Sequence, residues 1–195
     1  MMLGMLFGSF FILLALGVPI VFSMGISAGI YYVMSGYPLM QFVQKTIGGV
    51  DSFTLLAIPF FLLAGDIMGK GGISRRMLRF ANALVGPLTG GLAVTGVVSS
   101  AMFGTICGSA PATAASIGGI IAPEMLEKGY SKRFTGSIIA ASGLLGIIIP
   151  PSIVMVNYGA TAGISIGSLF VGGIIPGVMA AAGLALYSIF QSKKN

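Results

Sequence analysis

The stretch Phe103 to Ser116, FGTICGSAPATAAS, decides how this chain is read. It lies inside a run without any charge, residues 80 to 123, that by hydropathy alone would be membrane-spanning. Its own residues are small, hydroxylated and glycine-rich, with a proline at 111. In hydrocarbon an unpaired backbone N–H or C=O costs several kcal/mol, so irregular backbone is tolerated there only when buried in protein or lining a cavity. The stretch therefore reads as the tip of a helical hairpin. Its arms, roughly 88–103 and 112–125, are shorter than the ~20 residues of a full crossing, so the hairpin is expected to be re-entrant.

The rest of the chain supports a membrane setting. Of its 195 residues 56% are hydrophobic and 7% charged, with a mean hydropathy of +1.04, against about a quarter charged in water-soluble domains. Lys and Arg total 10 against 4 acidic residues. The cations gather in KGGISRRMLR (70–79), EMLEKGYSKR (124–133) and Lys193-Lys194, at the ends of apolar stretches and not along one basic face. Nucleic acid is thus not an expected partner, and the positive-inside rule puts all three clusters in the cytoplasm. Residues 80–127 then leave the cytoplasm and return to it, as a hairpin does.

Outward from there, residues 3–34 are apolar throughout, about 48 Å if wholly helical against a ~30 Å core. Pro19 makes them one long, kinked, tilted helix or two helices of which one is short. No positive n-region or A-x-A-like site precedes this run, which reads as a retained span. SGYPLMQFVQKTIGGVD (35–51) mixes polar and apolar residues as an interfacial segment would. Residues 52–69 read as a span containing Pro59. Residues 134–192 carry no charge and hold two spans, about 133–161 and about 168–190. The first must break at GIIIPPS (146–152), because adjacent prolines remove two backbone donors and exclude α geometry before them.

Two interrupted elements give the chain a chemistry. Each presents carbonyls where one helix ends and amides where the next begins. Carbonyls suit a hard cation such as Na⁺, and amide-bearing helix starts suit a carboxylate. Thr105, Ser109, Thr113 and Ser116 gather at the turn, and Ser152 and Asn157 after the break, although hydroxyls of this kind also cap or bond back to their own helices. Asp51, Asp66, Glu124 and Glu127 fall at span ends, leaving no mid-membrane acid to relay protons, so coupling to Na⁺ is the simpler expectation. No phosphate-binding G-x-x-x-x-G-K-[ST] motif, His base or Cys/His cluster occurs, no paired carboxylates lie within the apolar body, and an enzyme is not expected. Cys107, the one cysteine, reads as a small packed hydrophobe.

IPFFLLAGDIMGKGGIS (58–74), GTICGSAPATAASIGGIIAPEM (104–125) and GIIIPPSIVMVNYG (146–159), in this order and spacing, resemble the large membrane subunit of tripartite ATP-independent periplasmic (TRAP) transporters. The resemblance implies an all-α polytopic protein of the bacterial inner membrane, one inverted-repeat unit of an elevator-type transporter. It also implies Na⁺-driven import of an organic acid of the C4-dicarboxylate or sialic acid class. Implied partners are a small TRAP membrane subunit and a periplasmic substrate-binding protein, within membrane lipid.

Carried over, the hairpin tip is Gly104 to Thr113 and the discontinuous helix breaks at Gly146 to Ser152. Together they would form a Na⁺ site from carbonyls near Gly108, Ser109, Gly146, Ile149 and Pro151, with Thr113 and Asn157 toward the substrate. The implied division is 1–80 scaffold-type helices, 81–161 a transport-type unit (hairpin about 86–127, broken helix about 133–161) and 162–195 a final span and tail. Family members carry two such repeats, so one repeat is expected here, as part of a split permease or a fragment. The residues alone leave open a binding-protein-independent dicarboxylate/Na⁺ symporter, or a non-transporting assembly subunit.

Overall fold

A computed structural model describes residues 2–51 and 53–192. Among these residues every regular element is helical. The chain forms two compact units, Met1–Ser52 and Phe53–Asn195.

In the first unit the apolar run resolves into two helices, α1 (Met2–Ala15) and α2 (Ile20–Met34). The separation is local. Gly17 takes φ +80, a left-handed value that glycine adopts without steric cost, and Pro19 then fixes the entry to α2. At 1.5 Å per residue each helix is about 21–23 Å long, and they pair as a hairpin whose open end joins the Ser35 hydroxyl to the Met2 sulfur at 3.6 Å. α2 buries only Ser23 and Ser27. α3 (Leu39–Val50) follows Pro38 and is amphipathic, with Leu39, Val43, Ile47 and Val50 on one stripe and Gln41, Gln44, Lys45 and Gly48 on another.

The second unit opens with a 3₁₀ turn, Phe53–Leu56, that runs into α4 (Ala57–Lys70). Pro59 sits in the first turn of α4, where a missing N–H leaves no helical bond unmade. α5 (Ile73–Val85) turns Ser74, Leu78 and Ala81 inward and leaves Arg75, Arg76 and Arg79 exposed. There follow α6 (Gly91–Cys107), α7 (Ala110–Glu127), α8 (Lys132–Gly143), the single turn α9 (Leu145–Ile148), α10 (Ile153–Ala162) and α11 (Ile166–Ser192).

α6 is the centre of this unit and packs on α4, α5, α7, α8, α9 and α11. A helix surrounded in this way has no polar face, and 12 of its 17 residues are buried. Its small residues set the spacing: a Cβ on Gly96 would lie 3.2 Å from Ile121 and one on Gly104 2.5 Å from the Gly146 Cα. Phe103, Ile117, Ile121, Met125, Ile138 and Leu145 fill the space between α6, α7, α8 and α9.

The start of α6, the α7–α8 connection and the end of α11 meet at one end of the unit, around a cavity lined by Gly90, Lys128, Tyr130, Gln191 and Ser192. The 124–133 cluster and the end of α11 thus share one end of the unit, as expected, while Lys193 and Lys194 lie outside the described residues. The hairpin arms have 17 and 18 residues, longer than expected, because the turn between them takes only Gly108 and Ser109. That is about 26 and 27 Å of helix, close to a hydrocarbon thickness of ~30 Å, so arm length by itself argues less for re-entry than the sequence implied. By length and composition α11 can cross a membrane alone, and α8–α9 with α10 can do so as a pair bent by 41°.

Candidate functional site: the hairpin tip and the broken helix

The turn of the hairpin is set by three residues. Gly108 adopts φ +61 and its N–H closes on the Gly104 carbonyl at 2.9 Å, a left-handed helix end that a Cβ would strain. Ser109 is extended, and Pro111 in the first turn of α7 presets the helical φ. The turn is then locked from within. The Ser109 carbonyl accepts from the Thr113 N–H at 3.0 Å and from the Thr113 hydroxyl at 2.8 Å, while the Cys107 sulfur lies 3.1 Å from that hydroxyl.

The break has the opposite construction, one of missing donors. α9 ends as Ile149 turns extended; the Pro150–Pro151 peptide is cis, and Ser152 restarts α10 by accepting from the Met155 N–H at 3.4 Å. In a continuous helix the carbonyls of Gly146 and Ile147 would receive the N–H groups of residues 150 and 151. Both of those are proline, so these two oxygens have no such partner.

Tip and break are in direct contact. The Ile153 N–H donates to the Gly108 carbonyl at 3.1 Å. A Cβ on Gly108 would lie 3.0 Å from the Pro151 oxygen, and one on Gly146 would lie 2.5 Å from the Thr113 hydroxyl and 3.0 Å from the Ser109 oxygen. The backbones themselves touch, since a Cβ on Gly104 would lie 2.5 Å from Gly146 Cα and 2.9 Å from its nitrogen. On the far side α11 clamps the break: Gly177 packs against Ile149 and Gly173 against Met155 and the Ile148 carbonyl.

Of the residues singled out from sequence, Gly108, Ser109, Gly146, Pro151 and Thr113 are thus brought to one place. Ile149 belongs to the same break, with its side chain against α11. Thr113 is fully buried with its hydroxyl engaged inside the turn, whereas Asn157 is exposed one turn into α10. Thr105 bonds back to Met102 at 2.7 Å and Ser116 sits by Gly69, so neither is committed to the tip. The carried-over tip, Gly104 to Thr113, contracts to Gly108 and Ser109, because Gly104–Cys107 and Ala110–Thr113 are helical. Three contacts at the joint are tertiary, although Gly104 and Cys107 lie within the expected tip and Cys107 is the small packed residue the sequence suggested. Gly104 makes the closest backbone approach, Cys107 packs into the turn at 1% exposure, and Gly65 of α4 meets it, its Cβ placed 2.7 Å from that of Cys107. Gly104 carried a signal, its four-residue spacing from Gly108; Gly65 carried none.

The donor set of this joint is neutral oxygen. Among the described residues no His, Cys, Asp and Glu cluster could hold a transition metal, and carbonyl oxygens fit a hard cation. The freed carbonyls of Gly146 and Ile147, with the last-turn carbonyls of α6, are the oxygens available to one; the Gly108 oxygen has one lone pair already taken by Ile153.

A helical hairpin closed against a proline-broken helix, within an apolar helical unit, is the kind of interrupted element in which membrane transporters place substrate and ion sites. The chain belongs to the family described as the tripartite ATP-independent periplasmic transporter, DctM component, which it matches over residues 7–195. It is 45% identical, over 99% of its length, to an isethionate TRAP transporter permease protein of Oleidesulfovibrio alaskensis, of which it covers 31%. It is 39% identical over 97% of its length to the C4-dicarboxylate TRAP transporter large permease protein of Rhodobacter capsulatus, of which it covers 46%. It is 38% identical over its whole length to the sialic acid TRAP transporter large permease protein of Vibrio cholerae, of which it covers 45%. The chain therefore spans less than half the length of these relatives.

Proposed function

We propose that this chain supplies one hairpin and one broken helix of a Na⁺-coupled importer of small organic anions in the bacterial inner membrane. The observation that carries this reading is the joint itself, where Gly108, Ser109, Gly146 and Pro151 meet and two proline-freed carbonyls lie in the break. On this reading the chain's role is to hold backbone oxygens around Na⁺, with Gly108, Ser109, Gly146, Ile149 and Pro151 as the surrounding residues. The starts of α7 and α10 direct amides toward the transported anion, with Thr113 and Asn157 on the substrate side. Isethionate, C4-dicarboxylates and sialic acid, the solutes named for the relatives above, share an anionic acid group, which supports an organic anion as cargo.

Residues 1–80 act as scaffold, 81–161 as the moving unit of an elevator and 162–195 as a final span and tail. A small TRAP membrane subunit and a periplasmic substrate-binding protein complete the assembly. The test is uptake by the complete assembly with its binding protein in proteoliposomes. Transport is expected under an inward Na⁺ gradient and lost when choline replaces Na⁺; undiminished uptake in choline overturns the coupling.

A further inference from the structure

At the basic end of the second unit, far along α6 from the hairpin turn, two adjoining cavities of about 230 and 340 Å³ share Ser131, Phe134 and Gln191. Lys128 lines one and Arg133 the other. Neither cavity is lined by a carboxylate: Glu124 and Glu127 are exposed on the last turn of α7, and among the described residues neither pairs with Lys128 or Arg133. The Ser192 hydroxyl, in the wall over Gly90, is shut off from solvent and has no hydrogen-bond partner among the described residues. Two cations, hydroxyls and an amide around a hole with no counter-charge among the described residues select an anion.

The surroundings select the kind of anion. The cavities open beside the end of α11, where Leu186, Tyr187 and Phe190 are 55%, 53% and 68% exposed, and Tyr187 itself lines the second cavity. A soluble anion has no use for that apolar face. A phospholipid satisfies both features, its acyl chains along α11 and its phosphate among the cations, with Tyr130 and Tyr187 at the level where amphipathic rings settle. Since a liquid water takes ~30 Å³, the space accommodates a phosphoglycerol group in place of several waters. We propose that this pair of cavities binds the headgroup of an anionic phospholipid. The proposal rests on α11 crossing the membrane and is independent of the Na⁺ site.

The test is native mass spectrometry of the purified chain in detergent, titrated with phosphatidylglycerol, phosphatidylethanolamine of the same acyl chains, or inorganic phosphate. Phosphatidylglycerol is expected to bind in preference. The double variant Lys128→Gln/Arg133→Gln is expected to weaken that binding by about 30-fold, the loss of two interfacial cations, and Lys128→Arg/Arg133→Lys to retain it. Arg75→Gln/Arg76→Gln, which removes as much charge from α5, is expected to leave it within twofold. Equal binding of the two lipids, an unaffected Gln double variant, an equal loss in the α5 variant, or displacement of the lipid by phosphate would each overturn the proposal.

Discussion

Replacing Gly104 by alanine attacks the backbone-to-backbone contact between the hairpin and the broken helix. The new methyl would lie 2.5 Å from Gly146 Cα and 2.9 Å from its nitrogen. Neither neighbour can swing aside as a side chain does, so the two backbones must separate by about 1 Å to reach an ordinary van der Waals distance near 3.5 Å. The Ile153 N–H to Gly108 C=O bond, 3.1 Å in the native joint, would then be stretched beyond hydrogen-bonding range. Overpacking costs about 1–3 kcal/mol, and a lost hydrogen bond about 1 kcal/mol more.

Cys107 reports the effect directly. It is the chain's single thiol, 1% exposed inside the turn, so alkylation requires the tip to open. If closing is fast relative to reaction, a cost of 2 to 4 kcal/mol raises the maleimide labelling rate about 30- to 1,000-fold. Gly119→Ala is the control, since nothing lies within 4 Å of the added methyl. Labelling of Gly104→Ala within twofold of that control would refute the claim that backbone contact holds the joint shut.

Two further outcomes follow from the same packing. Gly177→Ala places a methyl 2.6 Å from Ile149 Cγ1 and 3.3 Å from its Cα, against a stiff β-branched side chain; it should destabilise by about 1–3 kcal/mol in a thermal melt, whereas Gly183→Ala, in open space, should not destabilise. Thr113→Val keeps the side chain's shape but leaves the Ser109 carbonyl without the hydroxyl donor it has at 2.8 Å; a loss of about 1 kcal/mol is expected, with Thr113→Ser close to wild type by the same melt.

What could be read from sequence was what single residues impose. Pro150 and Pro151 end a helix whatever surrounds them, and the break is where they are. Cations at span ends report sidedness, and the structure gathers those of α7 and α8 with the end of α11. The extent of the turn was not legible, because Gly, Ser and Thr are poor helix formers by propensity yet are the residues a crowded central helix needs. Gly104 to Cys107 and Ala110 to Thr113 are helical because packing outweighs propensity. Residues 3–34 could not be parsed by length, and the φ of Gly17 decided it. The partners Gly65–Cys107 and Gly104–Gly146 are tertiary facts that no local pattern encodes.

The contact between Gly104 and Gly146 has no rotamers. A joint between leucines can loosen by degrees, each side chain exchanging one conformer for another as its neighbours shift. Two glycine backbones have no such intermediate arrangements to populate, and the main-chain bond from Ile153 to Gly108 beside them is either made or broken. The hairpin and the broken helix are consequently expected to move together up to the point where their backbones part.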